Sequence, residues 1–264
     1  MTTIRLGTPA TSITAGKVAI LLYGIGSYGL FLATAVIAAA FLGNFGLTRT
    51  MDAAPSAPVG WALVVNLSLL TAFALQHSIM ARPAFKRWWT QIIPPAAERS
   101  TYVLLSNLAI LALCAYWEPI GGTVWSISSP TLRMAIYGLY GAGWIGLVGA
   151  TFCIDHFHLF GLRQVYCNLV GQECVEKTFR TPGPYRFVRH PIYVCWLTIF
   201  WAAPTMTAAH LLFALATTAY ILIAIQLEER DLEAILGTPY ARYRRTVPML
   251  LPRLRSSRTD SPAN

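Results

Sequence analysis

The sequence predicts an all-α integral membrane protein with about five to six membrane helices. Hydrophobic residues make up 55% of the 264-residue chain and charged residues only 12%, a balance that soluble globular proteins rarely show. Four uncharged stretches approach or exceed the roughly 20 residues that a helix needs to cross the hydrocarbon core. They are residues 18–42, 58–81, 100–117 and 134–154, and a fifth apolar run covers residues 191–227.

The first four stretches predict a four-helix membrane part over residues 16–154, within a single integral-membrane domain that spans residues 1–264. The first stretch is too long for a cleaved signal peptide, and no cleavage-site pattern follows it, so we interpret it as a retained span. The tails at residues 1–15 and 254–264 are polar and rich in Thr, Ser and Pro, and we expect them to be flexible.

The fifth apolar run contains a proline that divides it into two unequal arms. Pro204 separates residues 191–203 from residues 205–227, and at about 1.5 Å per residue the first arm is only about 20 Å long. We therefore expect a helical hairpin with a short or tilted first arm, a turn covered by other spans, and both arms ending on the cytoplasmic face. Residues 228–236 then predict an amphipathic C-terminal helix that leaves the membrane and ends at Gly237.

Lysine and arginine in the short loops predict the orientation of the chain. Residues 82–99 hold four of these cations, whereas residues 43–57 and 118–131 together hold one. Because basic loops stay in the cytoplasm, both termini and the C-terminal helix are expected on the cytoplasmic face. The net charge of +9 then reflects basic groups along the anionic inner leaflet, and their scatter beside the spans argues against nucleic-acid binding.

The cysteines and histidines give no sign of a disulfide or a metal site. Five cysteines lack a close pairing motif, so we interpret them as reduced. His156 and His158 have a spacing that could bind zinc, but no third ligand follows at a suitable distance, and no metal is expected.

Two polar clusters bracket the fifth apolar run, and the hairpin would bring them together. The first ends with His190 at the cap of a helix that begins with Pro191, where unpaired N–H groups suit a carboxylate. The second begins with Glu228 and Glu229. Successive helical residues point about 100° apart, so one acid can face a cavity and hold ribose hydroxyls or an adenine amine while the other pairs with an arginine. The alternative is that these charges only anchor helix ends to head groups and water.

Three separated blocks resemble the integral-membrane methyltransferase superfamily, which includes isoprenylcysteine carboxyl methyltransferases and phospholipid N-methyltransferases. The blocks are Gly-Pro-Tyr-x-x-x-Arg-His-Pro-x-Tyr at 183–193, Glu-Glu-Arg-Asp-Leu at 228–232 and Gly-x-x-Tyr-x-x-Tyr-Arg-Arg-x-Val-Pro at 237–248. Within this superfamily the chain looks most like the bacterial methanethiol S-methyltransferases. Segments at 76–86, 98–103 and 156–165 extend the similarity over nearly the whole membrane part.

The resemblance implies S-adenosylmethionine as the methyl donor, bound by residues 155–253. The residues that it implies around this cofactor are Lys177, Thr178, Phe179, Arg180, Tyr185, His190, Pro191, Ile192, Tyr193 and Glu228. Gln164 is a further candidate, for the methionine carboxylate or the ribose. The resemblance also implies a small thiol substrate, methanethiol converted to dimethyl sulfide, in a bacterial inner membrane. We infer the lipid bilayer as a partner and no obligate protein partner.

The thiol must lose its proton before it attacks, because the thiolate is the nucleophile. His156 and Tyr193 are candidate catalytic groups for this step, and His77 and His158 are candidate substrate contacts. Spacing singles out none of them, and proximity to the sulfonium charge is an alternative to a dedicated base.

Two positions depart from the pattern of the superfamily. Cys195 stands two residues after the motif Tyr193, where the superfamily usually has glycine, and Ala224 stands where isoprenylcysteine enzymes place a substrate-binding arginine. An uncharged residue at 224 argues against a prenylcysteine carboxylate and for a small neutral thiol. The alternatives are methylation of a lipid amine or a prenylated thiol by the same fold, or a non-catalytic integral membrane protein such as a transporter.

Overall fold

The computed structural model describes residues 12–174 and 179–252. The helices are α1 (Ala15–Gly43), α2 (Val59–Ala81), α3 (Pro83–Trp89), α4 (Pro95–Tyr116), α5 (Pro130–Ile154), α6 (His156–Leu159), α7 (Leu162–Val170), α8 (Pro191–Trp201), α9 (Ala208–Leu236) and α10 (Thr238–Thr246). The strands are β1 (Thr123–Ser126) and β2 (Thr205–Thr207), and a 3₁₀ turn covers Gly183–Arg186. Nearly all of the two predicted tails, together with Lys177 and Thr178, lies outside the described residues.

Five of these helices are long and apolar enough to cross a membrane, namely α1, α2, α4, α5 and α9. They confirm the predicted all-α integral membrane fold. The third span is longer than its uncharged stretch, because α4 begins at Pro95 and carries Glu98 and Arg99 in its first turns. A proline at the first helical position costs no hydrogen bond, which explains this earlier start.

The C-terminal hairpin consists of the short α8, with 11 residues, and the long α9, with 29 residues. Its turn carries β2, which pairs in antiparallel fashion with β1 from the α4–α5 connection. Trp125 adds a hydrogen bond from Nε1 to the carbonyl of Ala203 at 3.0 Å. The cover over the turn includes a strand of the α4–α5 connection, whereas we expected other spans. The two-stranded sheet satisfies backbone groups that apolar surroundings would leave unpaired.

The helix α9 differs in one respect from its expected course. It continues as one helix to Leu236 and ends at Gly237, whose φ of 63° is readily adopted by glycine. However, Glu229 does not enter water at this end, because only 2% of the residue is exposed. The segment after Leu227 is thus partly covered by protein.

Close packing of α8 on α5 positions the start of the hairpin. A Cβ atom added to Gly146 would lie 3.0 Å from Sγ of Cys195, and one added to Gly143 would lie 2.8 Å from Cγ1 of Ile199. Small residues allow this approach of two membrane helices. All five cysteines are free thiols, and Cys195 serves here as a packing residue.

Candidate active site

The start of α8, with His190, meets the end of α9, with Glu228 and Glu229, at what we call the foot of the hairpin. The buried carboxylate of Glu229 stabilises this foot. Its Oε1 accepts hydrogen bonds from Nε of Arg189 at 2.6 Å and from Nε2 of His190 at 2.9 Å. Its Oε2 lies 3.0 Å from Nε of Arg244 on α10. A buried charge requires such compensation, so Glu229 fixes the first turn of α8 against α9 and α10.

The start of α8 is also tied to the segment that follows α10. The backbone N–H groups of Arg189 and His190 donate to the carbonyls of Pro248 and Met249, at 2.9 and 3.2 Å. Two elements far apart in sequence therefore meet at the helix N-terminus. Pro191 is buried there at the first helical position, as predicted, and Ile192 packs against the main apolar core.

Glu228 points to a different side of α9 from Glu229. Its Oε2 accepts a hydrogen bond of 2.8 Å from Oη of Tyr193, and the ring of Tyr193 lies 5.5 Å from that of His190. The structure therefore brings His190, Tyr193 and Glu228 to one end of the hairpin. The pairing of the neighbouring acid with an arginine was also expected, although the sequence did not decide which acid would pair.

Tyr185 lies beside this group on the 3₁₀ turn. Burial raises the pKa of Tyr185 above its usual range, and the carboxylate of Glu228 raises it further, so its hydroxyl remains a proton donor. Its backbone carbonyl accepts a hydrogen bond of 2.6 Å from Tyr243 of α10. A Cβ atom on Gly183 would lie 3.3 Å from Sγ of Cys153, which places the turn against the end of α5.

Phe179 and Arg180 occupy the stretch before this turn. The ring of Phe179 packs edge-on against Tyr240 and Tyr243, with centroids 5.8 and 5.4 Å apart. Three of the predicted cofactor residues before the 3₁₀ turn lie in the described part of the chain. Gln164 and Phe179 are partly buried, and Arg180 is exposed.

A cavity of about 390 Å³ opens between α3, the start of α4 and the α5–α7 region. His158, Gln164 and Arg99 line it. Gln164 donates from Nε2 to the carbonyl of His158 at 3.0 Å, whereas its buried Oε1 has no partner in the described part of the chain. Because a buried amide oxygen normally accepts a hydrogen bond, Gln164 fits a ligand that presents a hydroxyl or an amine.

His156 is occupied within the protein. The Thr151 hydroxyl donates to the carbonyl of Val148 at 2.7 Å, so it accepts from Nδ1–H of His156, 2.8 Å away. Nε2 then accepts from the hydroxyl of Tyr28 at 2.8 Å. Burial lowers the pKa of His156, in line with a neutral ring that links α1 to α5. The structure does not leave either nitrogen of His156 open to a thiol.

His77 belongs to a polar cluster between α2 and α4. Its Nε2 lies 2.8 Å from the hydroxyl of Tyr102, and its Nδ1 lies 3.1 Å from that of Ser106. The ring of Phe73 stacks on His77 at 5.1 Å. The negative charge of Glu228 acts on Tyr102, which connects this cluster electrostatically with the foot of the hairpin.

Tyr102 and Ser106 received no role from the sequence, although a signal was present. Arg99, Tyr102 and Ser106 recur at intervals of three and four residues, which places them on one face of α4. Polar residues aligned along a membrane helix indicate a face turned to protein or to a cavity. The contact of this face with His77 of α2 depends on how the two helices pack, which no local sequence pattern reveals.

The two departures from the superfamily pattern have local explanations. Sγ of Cys195 faces Gly146, so this thiol packs against α5. Ala224 lies one helical turn before Glu228 on the same face of α9. The side chain one turn before Glu228 is therefore small and apolar.

Comparison with known proteins agrees with this arrangement. The phospholipid methyltransferase family matches residues 142–238, which include α8 and α9. A methanethiol S-methyltransferase of Crocosphaera subtropica is 49% identical over 88% of this chain and 91% of its own length. That of Mycobacterium tuberculosis is 50% identical over 88% and 95%, and methanethiol S-methyltransferase 2 of Bradyrhizobium diazoefficiens is 50% identical over 90% and 92%. No solved structure matches the chain significantly.

These relatives share about half of their residues with the chain and are covered almost completely by it. The shared length includes the membrane spans as well as the foot of the hairpin. The chain therefore belongs to the methanethiol S-methyltransferase family.

Proposed function

We propose that the protein methylates methanethiol to dimethyl sulfide, with S-adenosylmethionine as the methyl donor. The observation that carries this proposal is the meeting of His190, Tyr193 and Glu228 at one end of the hairpin, beside the small apolar side chain of Ala224. A carboxylate, two aromatic groups and an apolar wall match a cationic nucleoside and a small thiol. When bound, S-adenosylmethionine supplies an electrophilic methyl group on a sulfonium.

The residues around the foot divide the task of holding the cofactor. Glu228 accepts hydrogen bonds from hydroxyl or amine groups, and its charge favours a nearby cation. The first turn of α8 has no side-chain cap, so its N–H groups suit a carboxylate. Oε1 of Gln164, which has no partner among the described residues, accepts one further donor. His190 acts here through Glu229, which it binds at 2.9 Å.

The lipid bilayer supplies the substrate in this proposal. Methanethiol and dimethyl sulfide are small and apolar enough to move through hydrocarbon, and five apolar helices place the protein there. Basic residues cluster in α3 and α10, which favours a cytoplasmic location of both segments in a bacterial inner membrane. The polar cofactor then reaches the foot of the hairpin from the cytoplasm.

One observation favours a second candidate, the methylation of a lipid amine. The family matched by residues 142–238 is described as phospholipid methyltransferase. A phospholipid acceptor would need lateral access from the bilayer to Glu228. The identity of about 50% with methanethiol enzymes makes the thiol the better supported acceptor.

A direct assay separates the two candidates. Purified protein in lipid nanodiscs is incubated with S-adenosylmethionine and either methanethiol or phosphatidylethanolamine. We expect headspace dimethyl sulfide with the thiol and no methylated lipid by mass spectrometry. Methylated lipid without dimethyl sulfide would replace the proposal with the second candidate. If neither product forms, both candidates are rejected.

A further inference from the structure

The proposed reaction requires a group that accepts the proton of the thiol. A simple thiol is mostly protonated at neutral pH, whereas the thiolate is the nucleophile. The side chains of two earlier candidates are already engaged. The hydroxyl of Tyr193 donates to Glu228, and the nitrogens of His156 bind Tyr28 and Thr151. The nitrogens of His77 are hydrogen-bonded too, but its partner Tyr102 is subject to the charge of Glu228.

The cluster around His77 offers a proton acceptor beside a phenol. Nε2 lies 2.8 Å from the Tyr102 hydroxyl, and Nδ1 lies 3.1 Å from Oγ of Ser106. A neutral imidazole has one N–H donor and one acceptor nitrogen. The Tyr102 hydroxyl lies 2.8 Å from Nε2 and 3.1 Å from Nδ1, so we assign its O–H to the nearer nitrogen, Nε2, and the ring proton to Nδ1, which has Ser106 as its other neighbour. The lone pairs of the Tyr102 oxygen remain able to accept a second proton.

The charges around this cluster connect it to the proposed site. The guanidinium of Arg99 lies 5.0 Å from the Tyr102 ring and lines the cavity of about 390 Å³. From α9, Glu228 and Tyr220 lie within electrostatic range of Tyr102. Tyr102 thus contacts a residue of the cavity wall and is subject to the charge of the carboxylate that we assign to the cofactor.

A further polar atom beside the cluster is suited to a small ligand. Nε2 of Gln76 lies 3.4 Å from Oγ of Ser106, and its buried Oε1 has no hydrogen-bond partner among the described residues. Phe73 covers His77 on one face. An acceptor oxygen next to aromatic rings suits a molecule with one weak donor and an apolar body, which describes a small thiol.

The geometry points to Tyr102 and His77 as the proton relay for the thiol, an inference that rests on the proposed function. The S–H bond breaks and its proton binds Oη of Tyr102, while the proton of Tyr102 moves to Nε2 of His77. The electron pair stays on sulfur, so a neutral thiol and a neutral imidazole become a thiolate and an imidazolium. Tyr102 touches the substrate, and His77 takes the charge.

The test compares a thiol with a selenol that is already ionised at neutral pH and needs no base. Tyr102→Phe and His77→Gln are assayed with methanethiol and with methaneselenol. General acid–base groups contribute about 100-fold or more to rate, so we expect a loss of this size for the thiol and a near wild-type rate for the selenol. Tyr116→Phe is the matched control, because Tyr116 lies on the same helix and is 66% exposed; it should change neither rate.

Binding of S-adenosylhomocysteine, measured by isothermal titration, provides a readout independent of turnover. We expect wild-type affinity in both variants, which also shows that they are folded. Equal losses with thiol and selenol, or no loss with either, would overturn the relay. A thiol-selective loss in His156→Gln with normal His77→Gln would also overturn it. Wild-type protein that methylates neither acceptor would reject the proposed function itself.

Discussion

At the scale of single residues, two adjacent acids have different partners because successive positions on a helix face different directions. Glu229 is 2% exposed and is bound by Arg189, His190 and Arg244. Among the residues that the structure describes, Tyr193 donates a hydrogen bond to Glu228. One acid therefore stabilises the foot of the hairpin, and the other is the one that we assign to the cofactor.

Replacement of Glu229 tests this division. Glu229→Gln removes the negative charge and leaves Arg189 and His190 without their counter-ion, which in a buried network costs about 3–5 kcal/mol. We expect a clear fall in the thermal midpoint of unfolding in detergent. Glu233→Gln is the control, since Glu233 pairs with Arg244 at a 43% exposed side chain and such pairs contribute little. Equal midpoints for the two variants would contradict the assigned role of Glu229.

At the scale of the elements, glycines on α5 determine how closely α8 can approach. A Cβ atom on Gly146 would lie 3.0 Å from Cys195 Sγ, whereas one on Gly149 would meet nothing within 4 Å. Alanine at these two positions of one helix should therefore affect the stability of the protein differently.

We expect Gly146→Ala to destabilise the protein by about 1–3 kcal/mol, the usual cost of overpacking. Gly149→Ala should be neutral or slightly stabilising, because alanine favours helix. Adding Cys195→Gly to Gly146→Ala should recover part of the loss by removing the opposing sulfur. The thermal midpoints of unfolding of the three variants measure these changes in stability. A double variant that is no more stable than Gly146→Ala would refute the contact between Gly146 and Cys195.

A second connection between elements lies at the other end of the hairpin. Asp52, in the α1–α2 connection, binds the start of α9 through Thr207 and through Nδ1 of His210 at 2.9 Å. Burial alone would raise the pKa of Asp52, but the hydrogen bond and charge of His210, with help from Thr207 and Asn44, bring it below the usual value. Asp52 therefore stabilises the fold in its ionised form.

This pKa shift predicts how stability depends on pH. A carboxyl group whose pKa is lower in the folded state stabilises above its unfolded pKa of about 3.9, and the effect is lost as pH falls through the folded pKa. Asp52→Asn should thus lower the thermal midpoint at pH 7. The gap between wild type and variant should narrow progressively below about pH 4, and a gap that stays constant would contradict the account.

At the scale of the whole molecule, the hairpin foot and the Asp52 connection lie at opposite ends of α9. Because α9 is one of five candidate spans, the two ends should lie on opposite sides of the membrane. The loop basicity predicts that α3 and α10 lie on the cytoplasmic side.

Cysteine labelling in intact cells tests this orientation. In a cysteine-free background, Ser56→Cys in the α1–α2 connection should react with a membrane-impermeant maleimide. Thr238→Cys, at the start of α10, should react only after the membrane is permeabilised. Both positions are exposed, so a reversed pattern would invert the predicted topology.

Hydropathy and prolines were sufficient to predict the spans and the hairpin. Uncharged stretches indicated the five long helices, and Pro204 indicated the turn. The β1–β2 pair was missed, because four- and three-residue strands acquire their identity only through pairing across about 80 residues. The contact of His77 with Tyr102 was missed for the same reason, since it depends on how α2 packs against α4.

The most direct test of the central claim is the affinity of S-adenosylhomocysteine for wild type, Glu228→Gln and Glu233→Gln, measured by isothermal titration. We expect wild type and Glu233→Gln to bind alike, and Glu228→Gln to bind at least about tenfold more weakly, since hydrogen bonds to a charged group contribute about 1.5–3 kcal/mol. Unchanged affinity in Glu228→Gln, with its unfolding midpoint preserved, would show that the foot of the hairpin does not hold the adenosyl group.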